Sequence, residues 1–367
     1  MAIIKEESKT FPLWFQDETI NANYEREFHR CLENLPFSVS QTLSQSDKTD
    51  AGLTSGTRYK GAISTENAIY FIPDEALQVM KYVPSTDTIS FFGVAGSNYG
   101  CRGGVLAPNG KIYCAPASGT DVLIIDTNTD TVSTVTVTTG TDLKWVSGVY
   151  SSNGKVYFAP YQRTTDILVF DTTDDTTNYL ISTGIAVNTS GGYASGNIST
   201  DGFTVYFAPY SETAVLKVDT SQPAMSETVS TFGSFVGGAK WNSSINYKGH
   251  VYFVGSSSSI LKVDYSDDSN SLLSFSGDKF GSTLHPDGKI YSVPSFGSLL
   301  RIFDIEGEVQ ESSVTLSPAG SGMYGIVTAF DGKMYTSPGF GDARIRILGD
   351  GVDVNKNYML GRFNNKL

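Results

Sequence analysis

Gly148-Val-Tyr-Ser-Ser-Asn-Gly-Lys-Val-Tyr-Phe-Ala-Pro160, followed closely by Asp166-Ile-Leu-Val-Phe-Asp171, is the unit from which most of this chain is built. The unit opens on a run that starts at a small residue, turns at Ser152-Asn153-Gly154, and continues as a Val-Tyr-Phe run that stops at Pro160. A second aliphatic run then ends at Asp171. Short runs rich in Val, Ile, Tyr and Phe, bounded by Gly, Asn and Pro, read as strands joined by tight turns. The unit is three such strands in succession.

Working outward, the tyrosine of the second strand returns as Tyr70, Tyr113, Tyr157, Tyr206, Tyr252, Tyr291 and Tyr335, at separations of 43, 44, 49, 46, 39 and 44. A proline follows three residues later in every copy but the fifth: Pro73, Pro116, Pro160, Pro209, Pro294 and Pro338, with Gly255 in the fifth. The aliphatic run ends at Asp126, Asp171, Asp219, Asp264 and Asp304, and drifts in the first and last copies. A fourth run mixing Thr or Ser with aliphatic residues, such as Thr131 to Thr138 or Asn178 to Ser182, precedes the next copy. Four strands in roughly 44 residues is the length of a propeller blade. Each blade is a small sheet whose apolar faces need neighbours on both sides, and a ring supplies them. The expected fold is all-β, a seven-bladed β-propeller of four-stranded blades over residues 56–367, preceded by a partly helical arm over residues 1–55.

The second strand at 153–160 and the third strand and turn Leu168-Val-Phe-Asp-Thr-Thr-Asp-Asp-Thr176 resemble Kelch-like and YVTN-type β-propeller repeats. The bacterial and tailed-phage versions, in which the third strand runs into an Asp-Thr-rich turn, are the most similar. The resemblance is specific for fold and not for activity, because propellers host enzymes, sensors, scaffolds and lectins. For closure of the ring, Asn357-Tyr-Met-Leu-Gly-Arg-Phe363 is expected to be the seventh blade's own outer strand, so that no strand is exchanged between the termini.

The arm has its own pattern. Phe11, Leu13, Trp14 and Phe15 form a dense apolar cluster, and Ile20, Tyr24 and Phe28 recur at spacings of four on one face of a helix that Pro36 ends. The polar tract Ser38 to Asp47 reads as a linker. A cluster and one helix cannot make a domain, so the arm packs on the propeller's flank or docks on a partner, as an assembly anchor.

The net charge of -12, from 26 basic and 38 scattered acidic residues, lacks the Lys/Arg surface that phosphate binding needs, so nucleic acid is not an expected partner. No run approaches the ~18 apolar residues of a membrane span, and the first residues lack the charged and apolar regions of a secretory signal. Synthesis in a cytoplasm without membrane insertion is the expectation. Three cysteines, Cys31, Cys101 and Cys114, cannot all pair, and Cys114 lies in an apolar strand as a small buried thiol.

Enzymatic propellers related to this pattern, lactonases and streptogramin lyase-like proteins, use His, Glu and a divalent metal at the central channel. Here His29 falls on the arm helix, and His250 and His285 fall in turns, so no metal, no other cofactor and no catalytic residue is expected. Asp126-Thr-Asn-Thr-Asp130 starts like a calcium loop but lacks its Gly and distal Glu, and reads as a turn whose side chains bond their own backbone. The inner strands are more informative. Eleven to thirteen residues before each tyrosine stands a large side chain: Tyr59, Arg102, Trp145, Tyr193, Trp241, Phe280 and Tyr324, generally with Gly or Ser soon after and with Lys60, Lys144 and Lys240 nearby. They are expected either to ring the channel mouth, where aromatic faces and polar donors suit a sugar, or to fill the gaps between blades.

With a non-repeating attachment arm, the chain resembles appendage and decoration proteins of tailed-phage virions. That resemblance implies a non-enzymatic virion protein anchored by its arm to other virion proteins or to further copies of itself, displaying the propeller to a host-surface glycan or protein. A cellular Kelch-like protein-binding scaffold, intracellular (cytoplasmic) or secreted, and a lactonase or streptogramin lyase-like enzyme are the alternatives.

Overall fold

The computed structural model describes residues 43–349, apart from residues 51–52, 54–58, 94–99, 138–143, 163–164, 185–189, 318–321 and 340. The apolar cluster at Phe11–Phe15, the arm helix and the expected strand Asn357–Phe363 lie outside the described residues. Seven antiparallel sheets follow one another along the chain. The quoted unit is the third of them: Trp145–Ser151, Lys155–Pro160, Asp166–Asp171 and Asn178–Ser182, hydrogen-bonded in chain order from the inside outward. Second strands are buried along nearly their whole length, whereas outer strands such as Thr131–Thr136 are largely exposed. Between adjacent blades lie separate apolar cores, for instance Tyr157, Ile167 and Val169 of blade three against Val205, Leu216 and Val218 of blade four. Cys101 and Cys114 are buried in the core between blades one and two.

Ring closure differs from the expectation. Gln45–Lys48, inside the tract that reads as linker and arm, is the outer strand of the seventh sheet and pairs antiparallel with Ile345–Leu348. An outer strand offers its backbone to one neighbour and its side chains mostly to water. A polar Gln-Ser-Asp-Lys segment therefore fills the position without any apolar signature.

The repeated tyrosine and the Asp-rich turn are two halves of one device. In blades two to six the carboxylate that ends the third strand accepts backbone N–H groups of its own turn, as Asp126 does from Asn128 (2.9 Å) and Asp264 from Ser266 (2.8 Å). The last acid of the turn sits at positive φ, 55° at Asp130, 56° at Asp175 and 60° at Asp268, a conformation that Asp tolerates better than most residues. From there it receives the tyrosine of the preceding blade: Tyr70 donates to Asp130 (2.9 Å), Tyr113 to Asp175 and Tyr206 to Asp268 (2.8 Å), while Tyr157 donates to Glu227 of blade four (3.1 Å). Lysines of the donating blade complete the staple, Lys81 to Asp130 at 2.7 Å and Lys217 to Asp268 at 2.6 Å. Lys48 of the N-terminal strand reaches Asp87 of blade one at 2.8 Å, so the same contact crosses the seam. Tyr291 and Tyr335 instead donate to Asp287 and Asp331, in the first turn of their own blades.

Burial first, and then the adjacent carboxylates, raise the pKa of Tyr70, Tyr113, Tyr206 and Tyr335 above the usual 10.0. A group whose folded pKa is raised contributes stability that is present below its unfolded pKa and is lost as pH climbs through and beyond it, because the unfolded chain releases the proton first. Each retained proton costs about 1.4 kcal/mol per pH unit above roughly 10. The urea midpoint is therefore expected to fall steeply above about pH 10. A midpoint that stays flat there, with phenolate absorbance rising in the folded protein at the ordinary tyrosine pKa, would refute this.

Candidate functional site

The hydrogen-bond register aligns the inner strands independently of residue type. Ile63, Val105, Val149, Asn197, Ile245, Thr283 and Val327 stand opposite the seven repeat tyrosines. Four residues earlier stand Tyr59, Cys101, Trp145, Tyr193, Trp241, Lys279 and Met323, all buried. Three residues earlier stand Lys60, Arg102, Val146, Ala194, Asn242, Phe280 and Tyr324, and all seven line a cavity of about 860 Å³ enclosed by the inner strands.

The ring expected from the sequence thus spans two registers. Tyr59, Trp145, Tyr193 and Trp241 turn into the cores between blades, while Arg102, Phe280 and Tyr324 face the cavity. Successive side chains of a strand point to opposite faces, so one residue decides the side. The buried members are satisfied there: Trp145 Nε1 donates to the Asp166 carbonyl and Trp241 Nε1 to the Ser259 carbonyl, each at 2.8 Å. In blade six Lys279 takes the place of an indole, and its ammonium donates to the carbonyls of Ser257 (2.9 Å), Phe275 (2.7 Å) and Gly277 (2.7 Å).

The next layer is made of small residues only: Gly61, Gly103, Ser147, Ser195, Ser243, Gly281 and Gly325. Here the inner strands crowd together. A Cβ on Gly325 would stand 3.0 Å from the Cα of Gly61, and one on Gly103 3.1 Å from the Cα of Ser147. The serines bridge on the other side of the ring, with Ser195 Oγ donating to Ser244 Oγ at 3.0 Å. The Gly or Ser that follows each large residue in the sequence is therefore what lets the inner strands converge.

The cavity wall is unevenly equipped. Lys60 Nζ lies 2.7 Å from Asp74 Oδ2 and 5.3 Å from the centroid of the Tyr324 ring, which meets Phe280 edge-on at 5.2 Å. Asp74 is 2% exposed, and the Nε of Arg102 lies 3.6 Å from its Oδ1. Beyond Arg102, Tyr161 and Tyr210 stand 5.6 Å apart. Burial, with Tyr210 beside it, pushes the Tyr161 phenol up to about 12 against the opposing pull of the Arg102 charge. Valine, alanine, asparagine and serine make up the opposite arc.

No described residue of the wall is Asp, Glu, His or Cys, and the described residues hold no group of three or more such side chains placed to bind a metal. His285 is buried in a blade-six turn against the Gly332 carbonyl (2.9 Å), and His250 begins a second strand beside Asp264 (3.2 Å). No helix of the described residues is long and apolar enough to cross a membrane. The register was the signal that sequence reasoning missed, and with it Lys60 and Asn242 join the mouth while Tyr161 and Tyr210 flank it from loops.

No family model and no curated protein matches the chain. Solved structures do. The chain is similar to a streptogramin B lyase (TM-score 0.70, 12% identity, covering 83% of this chain and 97% of that one). It is also similar to a catalytically inactive histidine-to-alanine variant of virginiamycin B lyase from Staphylococcus aureus with quinupristin (TM-score 0.69, 10% identity, 84% and 99%). A chain of the mitotic checkpoint complex is similar too (TM-score 0.61, 11% identity, 85% and 95%). At such identities the likeness shows the propeller fold alone.

Proposed function

We propose that the chain is a non-enzymatic binding propeller that takes a sugar ring at the mouth of its central cavity, displayed on a virion to which the arm anchors it. The observation that carries the binding part is the mouth itself, where the pair Phe280 and Tyr324 and the pair Tyr161 and Tyr210 line one concave cavity together with cationic and amide side chains. Aromatic faces cover the apolar C–H faces of a pyranose while the polar groups meet its hydroxyls. The virion setting rests on the resemblance of the repeats, and on the arm as a means of docking on virion proteins or further copies.

An oligosaccharide array probed with the full chain and with Phe280→Ala tests the binding part. Binding is expected to fall about tenfold or more when the aromatic face is removed. Absence of any bound glycan, or binding indifferent to Phe280→Ala and Tyr324→Ala, would sink it.

A lyase-like activity is the second reading, favoured by the likeness to the lyases. Against it stands a described wall whose ionisable groups are Lys, Arg and Tyr only. Incubation with quinupristin decides the matter, since conversion by the purified chain would replace the binding reading.

A further inference from the structure

We infer that the sugar carries an anionic group, a carboxylate or a sulfate, and that Arg102 receives it; this rests on the sugar-binding reading above. At the mouth two cations, Lys60 and Arg102, share the single buried carboxylate of Asp74. Both line the cavity.

The two cations are not equivalent. Lys60 makes the close contact with Asp74 at 2.7 Å, which neutralises the carboxylate. Arg102 stands off at 3.6 Å, its Nε is buried without a hydrogen-bond acceptor, and its guanidinium donates no hydrogen bond to any described residue. The Nε side of the guanidinium is turned to Asp74, and the rest of the fork, on a residue that lines the cavity, is where an incoming oxyanion would supply acceptors. The planar fork of a guanidinium also matches two oxygens of a carboxylate or sulfate at once.

The surroundings keep this charge available. No described Asp or Glu lines the cavity, and the other lining lysine, Lys248, is already paired with Glu306. The chain as a whole carries -12, so anions are repelled elsewhere and an attractive spot of this kind is selective. Tyr161 and Tyr324 stand on either side of the cationic pair, at the places where the ring bearing the anion would stack.

The test uses the full chain and titrates matched oligosaccharides ending in a glucuronic acid, in a 6-sulfated sugar and in the neutral counterpart, with inorganic sulfate as a separate arm. Lys60 is left intact, because its removal would strand the buried Asp74 carboxylate and confound folding with binding. The acidic sugars are expected to bind about tenfold or more tightly than the neutral one, and Arg102→Gln to abolish that preference, read as the ratio of acidic to neutral binding in each variant. Arg102→Lys, which keeps the charge but not the fork, is expected to fall between. Equal binding of neutral and acidic sugars, unaffected by Arg102→Gln but lost in Phe280→Ala, would overturn the anion assignment and leave the sugar reading standing. Inorganic sulfate binding as tightly as the sulfated sugar would overturn the sugar as the recognised unit. Failure of every sugar to bind would remove both.

Discussion

A chain shortened to begin at Gly56 is expected to unfold at a temperature lower by roughly 10 °C and to self-associate, even if the arm has no partner of its own. The cut removes Gln45–Lys48 and the ladder that pairs Gln45 with Leu348 and Lys48 with Ile345. Several further ties go with it. Gly349 N donates to the Ser44 carbonyl at 2.8 Å, Asp47 meets Arg344 at 3.3 Å, and the Gln45 side chain accepts from Ser317 N at 3.0 Å. At about 1 kcal/mol net per hydrogen bond these amount to several kcal/mol. Loss of the strand also bares the edge at Ile345–Leu348, a template for pairing with another chain.

Self-association of that truncation would therefore say nothing about the arm as an anchor. A cut before Leu43, which keeps the strand and removes Phe11, Leu13, Trp14, Phe15, Ile20, Tyr24 and Phe28, isolates the question. Scanning calorimetry with light scattering on the three chains separates the effects. Equal unfolding temperatures for the full chain and the version from Gly56 would refute the structural role of the strand, whereas loss of oligomers only on cutting before Leu43 would support the anchor.

Asp342→Ala is expected to cost about 3–5 kcal/mol, the range for breaking a buried pair so that one charge is left uncompensated. Arg346 is fully buried in blade seven, with Nη2 2.7 Å and Nε 3.1 Å from Asp342 Oδ2. The same carboxylate takes Arg344 Nε on its other oxygen at 2.6 Å. Replacing both Asp342 and Arg346 by apolar residues of similar volume is expected to recover most of the loss, since a well-packed apolar pair is often as stable as a buried ion pair. Urea denaturation of the single and double variants checks this. A single variant within about 1 kcal/mol of the parent would show that Arg346 does not depend on Asp342.

Much of the fold was legible because its signals are local. The tyrosine of the second strand, the proline that ends it and the aspartate that ends the third are set by strand and turn chemistry within one unit, and repetition of that unit seven times leaves a closed ring as the way to cover every blade. The N-terminal strand was not legible, because an outer strand is specified by backbone pairing and Gln45-Ser-Asp-Lys48 carries no apolar pattern to betray it.

The mouth of the cavity was half legible for a sharper reason. The first turn differs in length between blades: the residue opposite the tyrosine precedes it by seven positions at Ile63 and Ile245, by eight at Val105, Val149, Thr283 and Val327, and by nine at Asn197. A one-residue shift moves a side chain to the other face, so the side on which a residue falls cannot be counted back along the sequence from the tyrosine. Side-chain size then selects Tyr59 in one blade and Arg102, Phe280 or Tyr324, one register later, in others. By itself the sequence determined the blades, their order and the small residues that let the inner strands converge, all of which follow from periodicity and turn chemistry. Only the tertiary structure decided which large side chains fill the gaps between blades and which face the cavity, and that Lys60 and Arg102 share Asp74 there, because those facts depend on backbone register and on contacts between blades distant in the chain.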